Sequence, residues 1–129
     1  MYVVGGKSLK PGVTGVRRII NATGYSMKGL KSAWVNEAAF RQEVSLTILM
    51  TIIAFFLPVT ILERILMVGS LFIVVIVELL NSAIEATVDR ISDDQHELSG
   101  RAKDIGSAAV FVSLALVVFV WLSVIVGLL

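Results

Sequence analysis

Residues 65–88 form a run that is apolar or small except for two glutamates and one asparagine, Glu78, Asn81 and Glu85. On a helix, seven residues make about two turns, so Glu78 and Glu85 share one face about 10 Å apart along the axis. Asn81 lies between them, turned somewhat aside, and Asp89 extends the stripe one turn further. A carboxylate within a membrane span costs several kcal/mol unless it is paired, protonated or near water. No Lys or Arg shares this run, so the two acids call for a cation, and a divalent metal is the natural candidate. The plainer reading is a polar seam that joins helices, which suits Asn81 alone. Two glutamates on one face favour function.

Other chemistry-bearing residues lie outside that run. Glu37, beside Asn36, is a third acid near the end of an amphipathic stretch, where a solvated interfacial charge is the plainer reading. Asp93, Asp94, His96, Glu97, Arg101, Lys103 and Asp104 form a charge run that reads singly as solvated surface. Lys103, next to the last apolar stretch, is suited to hold a phosphate. There is no Walker A loop, kinase glycine-rich loop or dinucleotide fingerprint, so nucleotide chemistry here requires a different scaffold.

The elements that position these residues follow from composition and period. Of 129 residues, 57% are hydrophobic and 16% charged, and the net charge is +1. A soluble domain this small needs more polar surface. An ordinary soluble protein, a disordered chain and a nucleic-acid binder are therefore excluded. Cysteine is absent and there is one histidine, which excludes disulfide frameworks, thiol catalysis and Cys- or His-rich metal sites. The class that remains is an all-α integral membrane protein.

Met1 to Thr14, with Gly5-Gly6 and Pro11-Gly12, reads as a turn-rich N-terminal extension that does not fit a secretory signal. From Val16, apolar residues recur at three- and four-residue steps through Ile19, Ile20, Thr23, Met27, Leu30, Trp34 and Ala38. The spacing predicts a basic amphipathic helix on the membrane surface over about 16–42, with Gly24 and Gly29 as places where it bends or splits. Residues 44–62 carry no charge and, at about 1.5 Å per residue, span roughly 28 Å, close to the hydrocarbon thickness. Pro58 falls near the far end, and Glu63-Arg64 mark the break before a second span at about 65–88. A polar loop over about 89–101 leads to a third span at about 105–128. One domain over 15–129 follows, a surface helix and three transmembrane helices. Seven Lys and Arg residues from Lys7 to Arg41 precede the first span, Arg90, Arg101 and Lys103 lie between the second and third, and Arg64 stands alone opposite. The N-terminus and the second connecting loop are thus expected in the cytoplasm and the C-terminus outward.

The segment ELLNSAIEATVD at 78–89 resembles the signature of the prokaryotic diacylglycerol kinase family. NEAAFRQE at 36–43 is similar to its surface-helix element, and HELSGRAKDIGSAAV at 96–110 to its cytoplasmic loop and last helix. The likeness extends from about Gly15 to the end of the chain. It implies a membrane kinase of the bacterial inner membrane, acting as a homotrimeric helical bundle with sites shared between neighbouring subunits. The reaction implied is transfer of the ATP γ-phosphate to diacylglycerol, giving phosphatidic acid and ADP, with Mg²⁺ as cofactor. By the same resemblance Glu78 is the general base, and Glu37 and Glu85 are metal ligands that also contact nucleotide. Arg18, Tyr25, Asp94, Gln95, His96, Lys103 and Asp104 are nucleotide contacts, with 94–96 beside the adenine. Lipid-substrate contacts are Arg18, Thr23, Ser26, Trp34, Glu43, Glu78, Asn81 and Ser107. Thr23 and Met27 depart from the family pattern, a smaller Ala and a larger Trp.

The helix geometry agrees with those roles. Glu85 lies nearer the cytoplasm, where ATP arrives, and Glu78 about 10 Å deeper, where a lipid hydroxyl can reach. Two other readings remain open at this point. An undecaprenol kinase of the same family shares the motif, although GYSMKGLKSAW at 24–34 resembles the diacylglycerol branch more. A small oligomeric ion channel lined by Glu78, Asn81 and Glu85 would need no ATP and leaves the charged loop unexplained.

Overall fold

A computed structural model describes residues 3–4, 7–8, 14–91 and 96–129. A two-residue antiparallel pairing joins β1 (Val3–Val4) to β2 (Lys7–Ser8), with Val3 opposite Ser8. Four helices follow: α1 (Val16–Asn36), α2 (Ala38–Phe56), α3 (Ile61–Ile91) and α4 (Glu97–Leu128). The last three are each long and apolar enough to cross a membrane. The all-α architecture expected from the apolar periodicity is therefore present, with the short strand pair added where only turns were expected.

Gly15 starts α1 with φ 70° and ψ −141°, a backbone region that favours glycine. Gly24 and Gly29 do not split α1, which is continuous over its whole length. The break comes instead at Glu37, whose extended backbone (φ −119°, ψ 107°) closes α1 and opens α2. The expected surface helix of 16–42 thus ends at Asn36. Arg41 holds this corner: its guanidinium Nη1 donates to the carbonyls of Trp34 (2.7 Å) and Val35 (3.2 Å). Those carbonyls belong to the last turn of α1 and have no partner within the helix, so a cation is favourable there.

α2 begins and ends earlier than the uncharged stretch 44–62. Leu57 precedes Pro58 and is extended (φ −77°, ψ 144°), because the proline ring disfavours helical backbone in the residue before it. Arg64 caps this end as Arg41 caps the previous one. It donates to the carbonyls of Ala54 (3.0 Å) and Leu57 (3.2 Å) and lies 5.5 Å from the centre of the Phe55 ring.

Glu63-Arg64 are not a break between elements but the first turn of α3. The Thr60 hydroxyl accepts from the Glu63 N–H, and the Glu63 carboxylate accepts from the Thr60 N–H, each at 3.1 Å. This reciprocal capping box satisfies two donors that the helix start leaves free. Thr60→Ala is expected to lower stability by about 1 kcal/mol, measurable as a shifted unfolding midpoint in mixed micelles.

α3 has 31 residues and α4 has 32. At about 1.5 Å per residue each exceeds 45 Å, against a hydrocarbon core of about 30 Å. Both therefore run past the expected spans of 65–88 and 105–128. Most of the polar stretch 89–101 continues these two helices, and the residues between them are 92–96.

α3 is the central helix, packed along both α2 and α4. The buried cluster of Ala54, Met67, Leu71, Trp121 and Val124 lies toward one end, and the Trp121 indole donates to the Met67 carbonyl at 3.2 Å. Many large apolar side chains point outward, including Phe55, Phe56, Phe72, Phe111 and Phe119. Such a surface is incompatible with water and suits lipid or neighbouring helices.

Candidate active site

At the other end of α3 the buried side chains are polar. Glu78 is 4% exposed and Asn81 8% exposed, and Ser82 is buried beside them. Periodicity explains the grouping: residues 71, 74, 78, 81, 82 and 85 follow the three- and four-residue steps of one helix face. Leu71 and Val74 fill that face with apolar packing, and Glu78, Asn81, Ser82 and the half-buried Glu85 continue it with polar atoms.

The Glu43 carboxyl adjoins Glu78 from α2, and Glu37 and Glu85 lie within electrostatic reach of Glu78. The Glu37 corner makes this convergence geometrically possible. It turns the chain so that one acid sits at the junction and Glu43 follows less than two turns along α2. The Asn81 amide donates to Glu85 Oε1 at 3.3 Å, tying the second and fourth polar positions of this face together. One oxygen of Glu43 and the Asn81 carbonyl are buried without a hydrogen-bond partner.

α4 closes a third side. Lys103 Nζ lies 2.6 Å from Asp89 Oδ1, bridging the projecting ends of α4 and α3. Both partners are exposed, so the pair contributes little to stability and is easily exchanged for another anion. Asp104 and Ser107 are exposed on α4. His96 forms the N-cap of α4, with Nδ1 accepting the Leu98 N–H at 3.1 Å. Asp94 and Gln95 lie outside the described residues.

The structure thus brings together Glu37, Glu43, Glu78, Asn81 and Glu85, with Lys103 at the rim. It does not bring the α1 residues to them. Arg18, Thr23, Tyr25 and Ser26 are exposed on α1, and the hydroxyls of Thr23 and Ser26 bond back to the carbonyls of Ile19 (2.8 Å) and Ala22 (2.9 Å). Arg18 lies about 28 Å from Glu37 along the helix axis. Arg41 and Gly106 are contributors that sequence reasoning did not place at the site, and no local pattern marked them, whereas Asp89 was marked by its place one turn beyond Glu85 on the same stripe.

Against α1 and α2 runs a groove of about 670 Å³, lined by Met27, Leu30, Trp34, Val44, Phe72 and Val75 among others. Its lining holds none of the acids, although Val44 follows Glu43 in sequence and Val75 lies about one turn before Glu78 on α3.

Among the described residues, no group of three His, Cys, Asp or Glu side chains forms a metal cage. Mg²⁺ does not require one: it binds through one or two carboxylates, with phosphate oxygens and water completing its shell. The donors here are the carboxylate oxygens of Glu37, Glu43, Glu78 and Glu85, a hard-ligand set that fits Mg²⁺.

A model of the prokaryotic diacylglycerol kinase family matches residues 24–125. The diacylglycerol kinase of Escherichia coli (strain K12) is 56% identical over 108 residues, which cover 84% of this chain and 88% of that protein. That of Pseudomonas aeruginosa is 52% identical over 116 residues, covering 90% and 94%. That of Helicobacter pylori (strain ATCC 700392 / 26695) is 40% identical over 111 residues, covering 86% and 87%. Likeness of this extent runs through all four helices, and the chain belongs to the prokaryotic diacylglycerol kinase family.

Proposed function

We infer that the protein is a lipid kinase that transfers the γ-phosphate of ATP to the free hydroxyl of diacylglycerol, producing phosphatidic acid and ADP. The observation that carries this reading is the buried Glu78 carboxylate, met by Glu43, Glu37 and Glu85 in a chain of this family. A channel requires none of the α4 groups that flank these acids.

In the proposed mechanism Glu78 accepts the proton of the lipid hydroxyl as its oxygen bonds to the γ-phosphorus and the bond to ADP breaks. The apolar groove beside α1 holds an acyl chain and brings the hydroxyl to Glu78. Glu37 and Glu85 would hold Mg²⁺, which would supply positive charge to neutralise the phosphates. Asn81 fixes the Glu85 carboxylate by its hydrogen bond. Lys103 exchanges Asp89 for a phosphate oxygen, a change the exposed ion pair permits. Arg18, Tyr25, Asp94, Gln95, His96 and Asp104 contact nucleotide. Thr23, Ser26, Trp34 and Ser107 contact the lipid.

The distance from Arg18 to Glu37 along α1 supports a site shared between subunits, because one continuous helix of this length cannot bring both to one small headgroup and phosphate. We assign the assembly as a homotrimer in a bacterial inner membrane. Its N-terminus and α3–α4 connection are cytoplasmic and its C-terminus is outward, following the distribution of Lys and Arg.

Purified protein supplied with ATP and either diacylglycerol or undecaprenol tests the substrate. Phosphatidic acid as the dominant product is expected, and preferential phosphorylation of undecaprenol overturns the assignment. Titrating Mg²⁺ tests the acids: Glu37→Gln and Glu85→Gln should each raise the concentration needed for half-maximal rate. An unchanged requirement in both removes them from the metal's shell.

A further inference from the structure

Gly106 lies buried in α4 against the polar face of α3, and among the described glycines only its missing side chain is replaced by another residue's atoms. A Cβ at this position would run into Asn81 Oδ1, while lying 3.3 Å from Asn81 Cγ and 3.9 Å from Ile84 Cδ1. On its other side the same amide donates to Glu85 Oε1 at 3.3 Å. The amide is therefore confined between a bare Cα on α4 and a carboxylate on its own helix. Its bond to Glu85 is already near the upper limit of hydrogen-bond length, so a displacement of a few tenths of an ångström breaks it.

We propose that Gly106 is a positioning residue for phosphoryl transfer: its lack of a side chain leaves the space that holds the Asn81 amide against Glu85. The proposal rests on the reading of Glu85 as an acid that serves the phosphates. A methyl group at 106 pushes the amide out of its slot. The Asn81–Glu85 bond is then lost, and Glu85 is free to take other rotamers. The helix itself has no objection to the change, since Ala is a better helix former than Gly. The damage is therefore expected at the amide and not in α4.

The test compares wild type, Gly106→Ala, Asn81→Ala and the double variant in detergent micelles. Side-chain amide resonances are recorded with ¹⁵N-asparagine labelling, the Asn81 signal being the one that Asn81→Ala removes. Gly106→Ala should shift that signal, raise the Mg²⁺ concentration for half-maximal rate and lower kcat by about 10²-fold, the scale of a small misplacement near the chemistry. In the Asn81→Ala background, adding Gly106→Ala should change kcat by less than about twofold, because the group it displaces is already gone. An unmoved amide signal, or two losses that multiply, overturns the proposal. If Gly106→Ala fails to fold, recovery of folding in the double variant locates the conflict at this pair, and failure of the double variant while Asn81→Ala folds refutes it. Wild type that makes no phosphorylated lipid would refute the kinase reading, while the amide signal would still decide the Gly106–Asn81 contact.

Discussion

Glu78→Gln is expected to lower phosphoryl transfer by about 10²- to 10⁴-fold, the usual cost of removing a general base. The substitution is nearly isosteric and keeps a hydrogen-bonding group in place. It also removes a charge from a side chain only 4% exposed, next to three other acids, so stability should hold or rise. Rate and unfolding midpoint measured on the same preparation separate the two effects. Near-wild-type turnover would make Glu78 a structural residue and leave the polar face of α3 as a seam between helices.

The second large effect is a gain. At limiting Mg²⁺, Glu37→Gln and Glu78→Gln subunits should each be strongly impaired alone. Mixed assemblies should recover activity if a site takes Glu37 from one subunit and Glu78 from its neighbour, since one interface then receives both intact acids. Within one chain Glu37 is already near enough to Glu78 to act on it electrostatically. A site contained in one chain gives no rescue, because every chain carries one lesion. Two affinity tags, purified in succession, confirm that the mixtures form. Tagged mixtures as impaired as either parent would assign both acids to the same subunit's site and leave the remote α1 residues as the ones a neighbour supplies.

The helical architecture and the acids of α3 were legible because both rest on local rules. A seven-residue spacing puts Glu78 and Glu85 on one face whatever packs against it, and uninterrupted apolar runs declare their own length. The corner at Glu37 was not legible. Helix breaks are usually read from Gly or Pro, and here Gly24 and Gly29 stand inside a continuous helix while the chain turns at a glutamate. What stabilises that turn is Arg41, reaching back across six and seven residues to α1 carbonyls. The arginine registers in sequence only as one more positive charge. The projecting ends of α3 and α4 were hidden for a related reason. Residues such as Asp89, Glu97 and Lys103 look like loop by polarity, yet outside the hydrocarbon a helix tolerates them, and the Asp89–Lys103 pair links the two ends.

The Gly106–Asn81 contact shows what no single-chain pattern carries. Twenty-five positions separate the two residues, and their meeting depends on the register at which α4 packs on α3. By contrast, the capping box at Thr60 was written in the sequence as Thr-x-x-Glu ahead of an apolar run, and its position places the start of α3 four residues before the expected span.

This chain, as a diacylglycerol kinase, moves the γ-phosphate of ATP onto a lipid hydroxyl. The most direct measurement follows that phosphate, using ATP labelled at the γ-position, purified protein and diacylglycerol in mixed micelles with Mg²⁺. Label is expected in phosphatidic acid in equal molar amount to the ADP formed, and to appear at least about 10²-fold more slowly with Glu78→Gln. Label appearing in inorganic phosphate without lipid product, or lipid labelling that persists undiminished in Glu78→Gln, would contradict this reading.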